Sequence, residues 1–306
     1  MSTTTDSPAV PAAARKSDSR PVRPGRARKS GRRTPTWRYV VRYLALTLVL
    51  LVMIGPFLWQ LSTSLKGATE DIFTSPPQLL PQHPTFDNYK GVADIIPVWD
   101  YILNSLKVAV TNVLTNIVGA AMAGYALARL RFKGRGVASL VFVAALLVPM
   151  EAIMIAQFAT MRSLDINDTL LSVVLPGCIG AMNVLLMRNA FSAIPYEIEE
   201  AAVVDGANVW QRFTRIALPS VKGTLAVVAI FSFMGAWDDF LWPLIVLSDS
   251  DNFTLTVGLN FLHGTFANNQ RVVAAGTIIA VAPLIVMFAG LQRFFFRGVG
   301  EGAVKG

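Results

Sequence analysis

The sequence predicts an all-α membrane protein with six transmembrane helices and both termini in the cytoplasm. Three observations carry that expectation. The 306 residues are 53% apolar and only 15% charged, whereas a soluble domain carries about 25% charged residues. The apolar residues stand in six long blocks, each close to the roughly 20 residues a helix needs to cross the hydrocarbon core. Basic residues gather on alternate sides of those blocks, which is the pattern of the positive-inside rule.

The chain opens on a tail, residues 1–36, rich in Ser, Thr, Pro, Ala, Arg and Lys. Eleven of the 27 basic residues lie between Arg15 and Arg42. Such a stretch cannot bury enough apolar surface to offset its ordering entropy, so it is expected to be disordered. It has no interleaved aromatics to stack bases, which argues against nucleic-acid binding. Beside a long apolar run it serves as a topogenic segment, with attraction to anionic lipid as the second reading. Arg32-Arg33 is followed by Thr-Pro-Thr, a poor twin-arginine signal, and no Ala-x-Ala site follows the apolar run. No cleavage is expected.

The six expected spans are about 40–62, 102–128, 138–160, 170–191, 222–247 and 271–296. With the N-terminus in the cytoplasm, the inner segments hold 22 Lys and Arg and the outer segments five: Lys66, Lys90, Lys107, Arg162 and Arg271. The opposite topology inverts that ratio. Residues 63–101, with Pro76-Pro77, Pro81, Pro84 and Pro97, form an outer polar loop, and residues 248–270 a second.

Spans two to six carry polar residues. The second reads Asn104-Ser105-Leu106-Lys107, then Thr111-Asn112, Thr115-Asn116 and Gly119-Ala120-Ala121. Small residues let helices approach closely and Asn or Thr bonds across them. Two readings fit: a tightly packed bundle, or a polar stripe, Asn116 included, that faces an aqueous path. Glu151 in the third span and Asp238-Asp239 in the fifth are costly inside a bilayer unless they face the bundle interior or water. Glu151 follows Pro149-Met150, a place for a helix break. Trp237, Trp242 and Pro243 around the Asp pair fit an interfacial belt with a kink, and lining of a cavity is the alternative.

Most of the chemistry of enzymes is excluded. Cys178 is the lone cysteine, and His83 and His263 are the two histidines, too few for a zinc or histidine-based metal centre. No Gly-x-x-x-x-Gly-Lys-Ser/Thr loop is present, so the chain has no phosphate cradle of its own.

Between spans four and five lies a loop, residues 193–219. Pro195 with Glu197, Glu199 and Glu200 behind it starts a helix, and Gly206 breaks it. A second short amphipathic helix follows, with Val209, Trp210, Phe213 and Ile216 on one side and Arg212 and Arg215 on the polar side. Leu218-Pro219 ends it. Small residues (Ala201, Ala202, Gly206, Ala207) at the centre permit close approach of another surface.

The spacing Glu200-Ala201-Ala202, three residues, Gly206, nine residues, Ile216, one residue, Leu218-Pro219 resembles the coupling-loop signature of permease subunits of bacterial ABC importers. Within that family, Ser64-Leu65-Lys66, Phe86-Asp87-Asn88-Tyr89, Asn104-Ser105-Leu106, Gly124-Tyr125-Ala126-Leu127-Ala128-Arg129 and Trp237-Asp238-Asp239-Phe240-Leu241-Trp242-Pro243 are similar to the maltose-type carbohydrate permeases. The likeness covers roughly residues 40–297 and leaves out the basic tail. Gly223 stands where that family often has Pro, and Asp238 where it often has Asn.

The resemblance implies a type I ABC importer permease fold: a first helix at 37–62, an outer loop at 63–101, a core at 102–297 and a cytoplasmic end at 298–306. It implies a non-catalytic subunit without a cofactor of its own, with ATP and Mg on a partner ATPase. Glu200, Ala201, Ala202, Asp205, Gly206, Ile216, Leu218 and Pro219 would form the docking element, with Glu200 in a salt bridge to the ATPase. The implied partners are a second permease subunit, two ATP-binding cassette subunits and an extracytoplasmic solute-binding protein, in the cytoplasmic membrane of a bacterium. The implied cargo is a sugar or oligosaccharide. A glycerol-phosphate type of importer permease is the alternative, and a proton-driven secondary transporter is another, resting on Glu151, Asp238 and Asp239.

Overall fold

The computed structural model describes residues 36–75, 78–265 and 269–303. The basic tail up to residue 35 and the Pro76-Pro77 pair lie outside the described residues. The chain divides into two units, Met1–Leu51 and Val52–Gly306.

The described part of the first unit is the beginning of α1 (Thr36–Leu65). It is apolar, and Leu44, Leu48, Leu50 and Leu51 are all more than half exposed. Exposed leucines along a helix fit a lipid surround.

Among its described residues the second unit consists of helices, with short 3-10 and π turns, joined by loops. After α1 come α2 (Asp87–Ile95), α3 (Val98–Arg129), α4 (Arg135–Ala145), α5 (Met150–Ser163), α6 (Leu170–Val174) and α7 (Ala181–Ser192). There follow α8 (Tyr196–Val204), α9 (Val209–Gln211), α10 (Leu218–Ser220), α11 (Lys222–Trp237), α12 (Leu241–Val246), α13 (Leu255–Thr265) and α14 (Gln270–Ala303).

Three helical stretches are long and apolar enough to cross a membrane singly: Tyr39–Leu65, Val98–Arg129 and Gln270–Gly290. The other three expected spans are not straight helices. The third is α4 and α5, bent by 104°; the fourth is Leu170–Gly177 with α7, bent by 43°. The fifth is shorter than expected, because α11 ends at Trp237 and α12 restarts at Leu241. Proline explains the first break. Pro149 has no N–H to continue a ladder and drives Val148 out of helical geometry, and Pro149 itself is extended at the start of α5. The 3-10 turn Leu175–Gly177 carries Pro176, and extended Gly180 opens α7. The last expected span runs straight through Pro283 and beyond residue 296, to Ala303.

α3 is the central element. One cluster packs its Ala120, Ala121, Tyr125 and Ala128 against Val184, Met187 and Phe191 of α7, with Phe213 and Val228. A second joins Tyr101 and Ala109 to Val92, Trp237, Leu255, Leu262 and Ala275. A third joins Val108 to Met154, Met161, Trp242 and Val246. The small residues of α3 allow this closeness. A Cβ on Gly124 would sit 2.6 Å from Met187 Cβ and 2.8 Å from the Arg188 nitrogen, so α3 and α7 touch there through glycine.

Two buried charges tie together the described residues between α1 and α2, 66–75 and 78–86. Lys66 is fully buried; its Nζ donates to the Gln78 carbonyl at 2.8 Å and lies 4.9 Å over the Trp59 ring. Glu70 accepts from the backbone N–H of Gly67, Gln82 and His83, and Arg271 of α14 donates to the Glu70 carbonyl. The Gln82 N–H is the main cause that holds the Glu70 carboxyl below the usual carboxylate range, with His83 and Gly67 adding to it against burial.

Candidate functional site

Two places gather the residues singled out in the sequence: an elbow after α7 and a pair of cavities beside α3.

The elbow is α8 followed by the run from Val209 to Ser220, which is bent 79° from α11. Pro195 is extended and opens α8. A Schellman motif closes it: the Gly206 N–H reaches the Val203 carbonyl at 3.0 Å and the Ala207 N–H the Ala202 carbonyl at 2.9 Å. Gly206 sits at φ +81°, a conformation that suits glycine. Asn208 and Gln211 then form a reciprocal capping box. Arg212–Ala217 widens into a π-helix. Pro219, which follows, offers no N–H to the preceding turn.

Glu200, Ala201, Asp205 and Pro219 are exposed, Ile216 and Leu218 are half-buried, and Ala202 is buried. Val203 and Val204 stand 51% and 87% exposed beside Glu200, so α8 carries an outward apolar face with a carboxylate at its edge. In the second short stretch Trp210 and Phe213 pack ring to ring, 5.5 Å between centres, at different depths. Phe213 and Ala217 are buried, whereas Val209 and Trp210 point out. Arg212, expected on the polar side, turns inward toward Glu199.

Glu199 is the residue the sequence reading missed. Its side chain is 7% exposed; Oε1 lies 3.2 Å from Arg129 Nε, and Oε2 lies 3.9 Å from Arg212 Nη1. Tyr125 Oη donates to Oε2 at 3.4 Å. Arg129 also stacks 4.4 Å from the Tyr196 ring centre and donates through Nη2 to the carbonyls of Phe191, at 2.6 Å, and Ile194. A sequence signal was available, since Glu199 lies three residues before small, buried Ala202 and shares its helix face, while Glu200 does not.

Beside α3 lies a cavity of about 250 Å³, lined in part by Asn112, Asn116, Asn183, Ser232 and Asp239. A larger one of about 600 Å³ is lined by Glu151, Asp238 and Asp239, with Met150, Met154 and Trp242. The structure therefore brings Glu151 together with the Asp pair, and Asp239 faces both cavities. Asn116 lines the smaller cavity and is at the same time bonded within the bundle. Its Nδ2 donates to the Gly177 and Asn112 carbonyls, and its Oδ1 accepts from the Gly180 N–H and Asn183 Nδ2. The interfacial-belt reading of the tryptophans is corrected. Trp237 and Trp242 are 3% and 4% exposed, and their indole N–H groups donate to the carbonyls of Ala280 and Ser172, each at 3.0 Å.

Comparison with known proteins agrees with this architecture. Residues 102–301 match the family of binding-protein-dependent transport system inner membrane components. The chain is 35% identical over 268 residues to the inner membrane ABC transporter permease protein YcjP of Escherichia coli, covering 86% of this chain and 95% of that one. It is 30% identical to the galactooligosaccharides transport system permease protein GanQ of Bacillus subtilis, over 88% of this chain and 96% of that one. It is 31% identical to the lactose transport system permease protein LacG of Rhizobium radiobacter, over 87% and 96%. A crystal structure of a bacterial ABC transporter involved in the import of the acidic polysaccharide alginate superposes with a TM-score of 0.74 at 25% identity, over 86% of this chain and all of that chain. With two thirds of its length matched and its long apolar helices in place, this chain belongs to the inner membrane components of binding-protein-dependent transport systems.

Proposed function

We propose that this chain is the permease subunit of an ATP-driven importer that carries a sugar or oligosaccharide into a bacterial cell. Both termini lie in the cytoplasm. The subunit pairs with a second permease and docks on two ATP-binding cassette subunits, which bind ATP and Mg. A soluble binding protein delivers the cargo from outside, against residues 63–101 and 248–270.

The observation that carries the reading is the elbow. Glu200, Ala201, Asp205 and the exposed valines form a projecting face on a turn that Gly206 makes possible. Ala202 is the buried side of that helix, and Ile216 and Leu218, half-buried, lead with exposed Pro219 into α11. A partner that closes on ATP and grips it would drive the helices attached to it.

The cargo reading rests on the relatives and on the cavities. A saccharide is rich in hydroxyl donors, and Glu151, Asp238 and Asp239 offer carboxylate acceptors beside Trp242 and methionine side chains. Grouped carboxylates repel an anion, which favours an uncharged sugar over a phosphorylated polyol.

The test is purification of the chain from native membranes in mild detergent, with and without Glu200→Lys. An ATP-binding cassette protein should accompany the wild type and be lost from the variant, while membrane insertion is unchanged. A chain that arrives alone and transports with a proton gradient but no ATP would overturn the proposal.

A further inference from the structure

We infer that Glu199 is the positioning residue that locks the docking elbow to α3, so that elbow, α3, α7 and the cavity wall move as one block. The inference rests on the proposed coupling role and adds to it a residue outside the span from Glu200 to Pro219.

Among the described residues, α8 buries Glu199 and Ala202, and Ala202 offers no polar side chain. The polar hold of α8 on the bundle is therefore the buried Glu199 carboxylate, with the Arg129 guanidinium stacked over the Tyr196 ring at the start of the helix. Two guanidinium groups and a phenol surround it. The rest of the seat is apolar: Phe213 packs 5.1 Å from the Tyr125 ring centre and 6.3 Å from that of Phe191. Ring contacts tolerate sliding, whereas separating a buried carboxylate from its close cations leaves unpaired charge in a dry site, which resists it.

Arg129 makes the lock a junction. It is the last residue of α3, its side chain is 1% exposed, and its Nη2 donates to the carbonyls at the end of α7. One guanidinium thus ties α3, α7 and α8 together. Further along, α3 and α7 are joined again where Gly124 meets Met187 and where Asn116 meets Gly180 and Asn183. Asn116 and Asn183 line the smaller cavity. Displacement of the elbow is carried by this path to the cavity wall, with no need for a flexible intermediate.

Cys178 reports on the far end of the path. It is the lone thiol of the chain, half-buried, and follows Gly177, whose carbonyl accepts from Asn116. The experiment is maleimide labelling of Cys178 in the intact complex in native membranes, followed by mass spectrometry of this chain. Rates are compared without nucleotide and with a non-hydrolysable ATP analogue plus Mg. In the wild type the two rates should differ by about threefold or more, as expected for a change in local opening. In Glu199→Gln they should converge, although the ATPase still accompanies the chain and still hydrolyses ATP; Glu199→Asp, which keeps the charge, should restore part of the difference. A lock that served stability alone would leave the nucleotide response intact. If Glu199→Gln does not assemble, Arg212→Gln removes the more exposed of the two cations and should give an intermediate difference. A wild-type response in the variant that assembles overturns the inference, as does a wild-type complex that contains the ATPase but leaves Cys178 insensitive to nucleotide. A wild-type complex with no ATPase overturns the proposed function instead, and the inference falls with it.

Discussion

Asn183 Nδ2 donates to Asn116 Oδ1 at 2.8 Å, with both side chains buried between α7 and α3. The same Asn183 nitrogen reaches Ser232 Oγ at 3.0 Å, so α11 is drawn into the contact. In the interior of a membrane bundle, such amides join helices by hydrogen bonds across them.

Asn116→Leu should therefore destabilise the bundle. It removes the acceptor for the Gly180 N–H and the donor to the Gly177 carbonyl, and each orphaned buried group costs about 1–3 kcal/mol. Thermal unfolding in detergent should show a clear drop in midpoint, with membrane insertion preserved. An unchanged midpoint would mean that water takes over these bonds and that Asn116 faces the aqueous path after all.

Gly206→Val should weaken the elbow without disturbing the bundle. A Cβ at Gly206 meets no atom within 4 Å, so the cost comes from backbone conformation alone. At φ +81° that cost is about 1–2 kcal/mol for an L-residue. Hydrogen exchange at Gly206 and Ala207, whose N–H groups close the Schellman motif, should accelerate severalfold. Gly206→Asn, which tolerates this region better, should have a smaller effect. Equal exchange in Gly206→Val and the wild type would show that the turn is not held at this angle.

The loop from Lys66 to Phe86 should loosen in acid. The folded-state pKa of Glu70 is depressed, chiefly by the Gln82 N–H. The unfolded loop therefore binds the proton more tightly than the folded one. The contribution of Glu70 is fully present above the ordinary carboxylate range and is lost as pH falls through its lower, folded value. Proteolysis or hydrogen exchange of residues 67–83 should increase on that descent, and Glu70→Gln should flatten the profile. An acid response of equal size in Glu70→Gln would assign it to another group.

Much of the architecture is legible in residue order. α1, α3 and α14 announce themselves by length and hydropathy, since a helix that must cover the hydrocarbon core with apolar side chains has little freedom in composition. The elbow is legible too, because its signals are local: Pro195 at one end of α8, Gly206 at the other, and Asn208 with Gln211 at the next start. The bends are less so. Pro149 marks a break but not an angle of 104°, which depends on what α4 and α5 pack against.

The roles of individual polar residues were the least legible part. Glu199 and Glu200 are adjacent and chemically identical, and α8 forms equally well around either. What separates them is the arrival of Arg129 and Arg212 on one face of α8. The indole of Trp242 suits a headgroup layer until Ser172, distant in sequence, presents its carbonyl. Span lengths, charge asymmetry and turn geometry follow from neighbours along the chain and from the thickness of a bilayer, so the amino-acid order contains them. Which carboxylate is buried, which amide is already bonded and which acids share a cavity depend on pairings between distant segments. Those pairings are settled when α3, α7, α8 and α11 pack, because a buried polar group persists only where a partner meets it.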